Sequence, residues 1–305
     1  MTAIRTAIVV AATLTLTGPA FALPPPGGGA WDDSRAGEPI NPTGAVAPDL
    51  ANYRLTFDDE FDQSDIVCYP WKPAGQHRWY IQDGATLGVA LSQCSKPYGD
   101  NVSVNDGVLA LTAVRHNGVW TTGAVRTRDP SGEGFSQKYG YFEARIKLPP
   151  PPLPGVDFWP AFWFVTSWAP HQSIDGTEVD ILESWSRSSH GLNQVSIHAW
   201  PAKTPDNDVP THQQASKQTP VPVFDGAWHV WGLKYTPTAW TVYLDGRVQM
   251  TYPITGRADY MRLPIHPILD LAVKSDDKSS TNDAAYSMYV DWVRIYACAS
   301  PACQD

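Results

Sequence analysis

Apolar positions in this chain fall in short runs, and most of the runs alternate. From Tyr53 onward they recur at 54–57, 107–112, 139–148, 162–165, 194–198, 230–235, 240–244 and 288–296, with turn-forming residues between them. In the run 141–148, Phe142, Ala144, Ile146 and Leu148 share one face, while Glu143, Arg145 and Lys147 share the other. A period of two with one apolar face predicts a half-buried antiparallel strand. Asp245-Gly246 between two such runs predicts a tight hairpin. No pattern supports an amphipathic helix of three turns, and there is no internal repeat. Many short strands without helices predict an all-β fold, a sandwich or jelly roll of two antiparallel sheets.

One run departs from simple alternation. Glu178-Val179-Asp180-Ile181-Leu182-Glu183 places three carboxylates in a stretch whose other members suit a core. Burying an unpaired carboxylate is costly, so the acids are expected to share the face away from that core. Glu178 and Asp180 share a face by alternation, but Leu182, not Glu183, comes next on it. Glu183 joins the other two only if the strand carries one extra residue, so the spacing predicts a β-bulge. Carboxylates held side by side push their pKa values apart, which supplies an ionised nucleophile beside a protonated acid.

Composition narrows the setting. The 305 residues suffice for one large β domain, expected over 51–297 with a short tail at 298–305. Residues 1–22 carry a lone Arg5, an apolar run and Ala20-Phe21-Ala22, the pattern of a secretory signal peptide. That apolar run is too short to span a bilayer, and no other stretch approaches spanning length. A secreted protein is the expectation, extracellular or periplasmic, with no membrane partner. Residues 23–50, rich in Pro and Gly, read as an arm or linker. Cys68, Cys94, Cys298 and Cys303 are an even set in an oxidising compartment, which favours disulfides over zinc. Of the possible pairings, Cys68–Cys94 with Cys298–Cys303 is the simplest. The net charge of −9 argues against nucleic acid. It weighs weakly against a highly acidic polysaccharide, because local charge can differ from the total.

The aromatic residues suggest what such a sandwich binds. The chain has 13 Trp and 13 Tyr, and Phe158-Trp159-Pro160-Ala161-Phe162-Trp163 precedes the acid strand. Sugar rings stack their C–H faces on aromatic rings while their hydroxyls seek polar partners. Trp159 and Trp163, on one face by alternation, are therefore expected to face a carbohydrate cleft, with Phe162 on the other side.

Taken in order, these segments resemble glycoside hydrolase family 16. The resemblance rests on Phe57-Asp58-Asp59-Glu60-Phe61-Asp62, Asn105-Asp106-Gly107-Val108-Leu109, and the run 139–149. It continues through Trp159-Pro160-Ala161-Phe162-Trp163, the acid strand, Trp228-His229-Val230-Trp231-Gly232, Tyr243-Leu244-Asp245-Gly246 and the run 290–296. It implies a concanavalin-like β-jelly-roll with a cleft on its concave sheet, and retaining hydrolysis of internal β-linkages. Glu178 then matches the nucleophile, Glu183 the general acid/base, and Asp180 a residue that tunes both. In retaining glycosidases the two working carboxyl groups lie about 5–5.5 Å apart. His198 matches a histidine lining the cleft, and Arg126 a polar cleft position. The resemblance also implies a structural Ca²⁺ held by Glu60, the Gly107 carbonyl and Asp291, and no catalytic cofactor.

The expected function is a monomeric endo-glycosidase acting on a β-1,3 or β-1,3-1,4-glucan. An agar-type galactan hydrolase, a transglycosylase, and a lectin-like protein that binds without cutting are the alternatives. The bulged Glu–x–Asp–x–x–Glu spacing resembles laminarinases and agarases more than the unbulged lichenase form. Two departures touch substrate choice. Where relatives read Asn-Leu-Ala-Val-Gly-Gly followed by Trp, this chain has Asp270-Leu271-Ala272-Val273-Lys274-Ser275, and the proline run at 149–154 lengthens the loop before Trp159.

Overall fold

The structure is a computed structural model. It describes residues 48–63, 65–68, 78–81, 101–129, 132–153, 155–166, 176–200, 213–257, 259–275 and 282–301. The expected signal peptide, most of the arm, Cys94, Cys303 and hence the expected disulfide pairs lie outside the described residues.

The alternating runs become strands. In chain order these are β1 (Tyr53–Asp59), β2 (Ile66–Cys68), β3 (Trp79–Ile81), β4 (Val102–Asn105), β5 (Val108–His116), β6 (Val119–Thr121), β7 (Gly123–Arg126) and β8 (Gly140–Lys147). They continue with β9 (Asp157–Val165), β10 (Gly176–Ser184), β11 (Leu192–Trp200), β12 (Gln213–Pro222), β13 (Trp228–Tyr235), β14 (Ala239–Leu244), β15 (Arg247–Pro253), β16 (His266–Ser275) and β17 (Ala284–Cys298). Among the described residues there is no α-helix, only 3-10 turns at Leu50–Asn52 and Asp259–Arg262.

Two sheets form. One has the order β15-β14-β13-β8-β17-β5-β4, with β1 added on β17 and β6 on β5. The other runs β12-β11-β10-β9-β16-β7-β3-β2. Pairing is antiparallel except between β2 and β3. From the first sheet, β8 contributes Phe142, Ala144 and Ile146 to the core, and from the second, β9 contributes Phe158, Phe162 and Phe164, all fully buried in one cluster. Each large apolar side chain so buried contributes about 1.5–3 kcal/mol. Ala161, Trp163, Val165 and Ile268 form a separate small cluster. They occupy the alternate positions of the second sheet, on its face away from the main core, and they floor the functional site.

Turn chemistry sets the register of the hairpins. Asp245 and Gly246, at φ 49° and 73°, join β14 to β15 in the left-handed conformation that the Asp-Gly pair predicts. Gly140 is required more strictly. Its φ is +128°, and a Cβ there would sit 2.0 Å from the Tyr296 carbonyl. Gly140→Ala is therefore expected to cost about 3 kcal/mol or more, read as a lowered midpoint in urea unfolding.

Candidate active site

The acid strand β10 lies between β9 and β11, and the register shows how three carboxylates reach one face. Glu178 aligns with Val165 and His198, Asp180 with Trp163 and Ser196, and Glu183 with Ala161 and Gln194. Between Asp180 and Glu183 the register shifts against both neighbours, so β10 carries the extra residue that the spacing predicts. Ile181 and Leu182 are both fully buried. Two successive inward side chains return Glu183 to the face of Glu178 and Asp180. The carbonyl of Ile181, outside both registers, accepts a hydrogen bond from Asn193 Nδ2 at 3.1 Å. Asn193→Ala would leave that buried carbonyl unsatisfied, at a cost of about 1–3 kcal/mol. Lower stability in denaturant melts is expected, together with reduced activity as Glu183 loses its placement.

The strand β11 grips Glu183. Ser196 Oγ donates to Glu183 Oε2 at 2.9 Å and Gln194 Nε2 to the same oxygen at 3.2 Å. Burial raises the Glu183 carboxyl above its ordinary range, and these two hydrogen bonds together with the charges of His198 and Lys274 partly offset that. His198 Nε2 lies 3.2 Å from Asp180 Oδ2 and 3.8 Å from Glu178 Oε1, bridging the other two acids. Asp180 is only 6% exposed. Burial, reinforced by the charges of Glu183 and Asp270, pushes it well above the usual carboxylate range. One donor atom from each of Glu178, Asp180 and His198 lies within 4.8 Å of the others, close enough to hold a divalent ion. Carboxylate-based hydrolysis needs none.

A fourth carboxyl completes the group. Asp270 on β16 aligns with Ala161, which aligns with Glu183. Asp270 and Glu183 therefore share a face across two strand spacings, with only a methyl group between them. Asp270 Oδ1 accepts from Trp163 Nε1 at 2.7 Å. Burial raises its carboxyl from 3.8 to about 7, with Glu183 adding to the shift. Between about pH 4 and 7 the folded chain holds a proton that the unfolded chain releases, so this group costs stability as pH rises through that window. Asp270→Asn is expected to match wild type near pH 4 and to exceed it at pH 8 by roughly 2–4 kcal/mol. Thermal melts of both proteins across that range test this.

The remaining expected residues fall in distinct places. Trp163 is on the site face but 8% exposed, built into the floor by its bond to Asp270. Trp159, half-buried, packs on Trp185 at 5.8 Å and 36°. Arg126 is 1% exposed on β7, beside Ile268 in the register, so it lies within the floor. Burial lowers its pKa to about 9. Of the expected calcium ligands, Gly107 does approach the Glu60 segment: a Cβ on Gly107 would lie 3.7 Å from the Glu60 carbonyl. The carboxylates, however, hold arginines. Arg294 binds both oxygens of Glu60 at 2.8 and 3.0 Å, and Arg145 binds Asp291 at 2.7 Å. With both acids neutralised by guanidinium groups, the expected donor set does not fit a cation.

Gln194, Ser196, Asp270, Trp185 and Lys274 were not among the expected site residues. For two of them a signal exists: in Gln194-Val195-Ser196-Ile197-His198 the polar residues alternate, so a site at His198 implies Gln194 and Ser196 on the same face.

Comparison with known proteins agrees with this geometry. A family model described as glycosyl hydrolases family 16 matches residues 94–294. Two curated relatives from Rhizobium meliloti (strain 1021), the endo-1,3-1,4-beta-glycanases ExsH and EglC, are each 26% identical to this chain, over 277 and 281 residues. The matches cover 79% and 83% of this chain and 51% and 54% of the relatives, so the chain spans about half their length. Among solved structures, a Bacteroides ovatus family 16 endo-glucanase superposes with a TM-score of 0.58 at 22% identity, over 78% of this chain and 99% of that one. A laminarinase catalytic domain from Thermotoga petrophila RKU-1 gives 0.56 at 21%, over 81% and 99%. The kappa-carrageenase of Pseudoalteromonas carrageenovora gives 0.57 at 19%, over 85% and 98%. These structural likenesses establish a shared fold, and the match to the family model over most of the β-sandwich establishes kinship: the chain belongs to glycosyl hydrolases family 16.

Proposed function

We propose that the chain is a secreted, monomeric, retaining endo-glycosidase that cuts internal β-1,3 or mixed β-1,3-1,4 linkages of a glucan-type polysaccharide. The observation that carries this reading is the bulge that returns Glu183 to the face of Glu178 and Asp180. In the first step a Glu178 oxygen attacks the anomeric carbon while the glycosidic C–O bond breaks, and Glu183 gives its proton to the leaving oxygen. In the second, Glu183 takes a proton from water, whose oxygen attacks the same carbon and releases Glu178. Two inversions leave the configuration unchanged. Asp180, held by His198, keeps the two glutamates from titrating alike.

The linkage is supported by the two relatives named as endo-1,3-1,4-beta-glycanases. Secretion is supported by the leader-like residues 1–22 and by the even set of four cysteines, with a disulfide proposed at Cys298. Cys303 is its proposed partner. The test is a panel of laminarin, lichenan, barley glucan, agarose and xyloglucan, with reducing-end detection and product anomers followed by NMR. Internal cleavage of laminarin or barley glucan with retained configuration is expected. Inverted products, or no product from any polymer, would overturn the reading.

A further inference from the structure

The ammonium of Lys274 sits 4.3 Å from the centre of the Trp185 ring. Trp185 follows Glu183 by two residues, and it packs on Trp159, which shares the face of Ala161 and Trp163. The sequence of contacts Lys274, Trp185, Trp159 therefore borders the site at its acid/base residue. Lys274 lies where the β16 register shifts between Val273 and Ser275, an irregularity of the kind that re-aims side chains, and it is exposed. Its charge reaches Glu183, whose proton affinity it lowers.

Among the described residues, the carboxylates around Lys274 are committed elsewhere. Glu183 accepts from Ser196 and Gln194. Asp157, beside Ser275 in the register, is 2% exposed and accepts from the backbone N–H groups of Arg187 and Ser188. Asp270 accepts from Trp163. Among the described residues no carboxylate forms an ion pair with Lys274. Arg187, exposed at the same end of the sheet, adds a second cation, whose Nη1 donates to the Gly155 carbonyl. A fixed ammonium over one face of Trp185 also leaves that face closed to a sugar ring, so the position offers charge where stacking would otherwise act.

We propose that Lys274, held on Trp185, is an anion-binding element of the cleft, and that the polymer this site takes carries acidic substituents, carboxylate or sulfate half-ester, on the sugar bound there. The inference rests on the glycosidase reading and adds the charge class of the substrate. The overall charge of −9 weighs only weakly against it, because local charge can differ from the total. Charges beyond about 8–10 Å are largely screened at physiological salt, whereas a contact pair at the cleft is screened much less.

The experiment uses one backbone in several charge states: laminarin and barley glucan, each neutral, carboxymethylated and sulfated. For wild type, the ratio of kcat/KM on anionic to neutral polymer is expected to exceed one and to fall with added NaCl. Lys274→Ala is expected to lower that ratio about fivefold, the worth of a partly exposed ion pair, and Lys274→Arg to restore it. Any change in the Glu183 titration acts on both polymers and cancels in the ratio. Affinity electrophoresis of the same variants in a Glu178→Gln background reads binding without turnover. If binding to the anionic polymers depends on Lys274 but nothing is cut, the glycosidase reading fails and the anion site stands. A ratio insensitive to Lys274→Ala in both assays, or wild-type binding that ignores polymer charge or is absent, overturns the proposal. A response to only one of the two anionic forms identifies the substituent.

Discussion

Glu178→Gln is expected to lower kcat on a cleaved glucan by about 10⁴-fold or more while leaving polymer binding within about twofold of wild type. Glutamine keeps the shape of the side chain and its place opposite Val165 and His198. What it loses is the anionic oxygen that attacks the anomeric carbon and the charge that faces the oxocarbenium-like transition state. A loss of 10⁴ corresponds to about 5–6 kcal/mol of transition-state stabilisation. His198, 3.8 Å from Glu178 Oε1 and 3.2 Å from Asp180 Oδ2, retains the Asp180 contact in the variant, so the site should keep its form. Reducing-end release gives kcat, and affinity electrophoresis gives binding. Glu178→Ala supplies a second reading, because the vacated space lets azide attack from the nucleophile's side. The single displacement then yields a glycosyl azide of inverted configuration. Residual activity above about a hundredth of wild type would remove Glu178 from the nucleophile's role.

Much of this arrangement is legible along the chain because it is local. Strand faces follow from alternation, and β8 and β9 divide inward from outward residues as their patterns predict. The bulge is legible for the same reason: Glu183 cannot share a face with Asp180 unless one residue is added. The polar edge strand β12, Gln213–Pro222, is not legible. It carries Lys217, Pro220 and Pro222 and alternates poorly, which an edge position tolerates and a central one would not. The segment holding Asp270 and Lys274 stands out as a departure from its relatives, but the placement of these two residues beside the acid strand stays hidden for a different reason. They reach the acid strand only because β16 pairs with β9, and that neighbour relation spans about a hundred residues with no local pattern to encode it. The expected calcium set fails on the same ground. Glu60 and Asp291 have the right chemistry, but Arg294 and Arg145 reach them first across β1, β17 and β8.

Glu183→Ala is expected to separate the two chemical steps, and its cost should depend on the leaving group. A polysaccharide leaves as a poorly acidic sugar alcohol, so without the proton from Glu183 the first step should slow by about 10³-fold. A dinitrophenyl glycoside of the same oligosaccharide leaves as a stable anion and needs no proton. Its first step should proceed, giving a burst of dinitrophenolate equal to the enzyme present, followed by slow turnover because no base activates water. Azide needs no base. It should restore turnover by attacking the Glu178 ester, producing a glycosyl azide of retained configuration, opposite to the product from Glu178→Ala. The pH profile adds a further sign. Burial raises the Glu183 carboxyl, so wild-type activity on polymer should fall on the alkaline side as that proton is lost, and the variant's residual activity should lack this limb. Ser196 and Gln194, both bonded to Glu183 Oε2, set how far the limb lies above an ordinary carboxyl. Ser196→Ala should move it to higher pH, because a hydrogen bond that favours the ionised form is gone. Equal losses on polymer and dinitrophenyl substrate, with no effect of azide, would leave Glu183 outside the chemistry and return the cluster to a purely binding role.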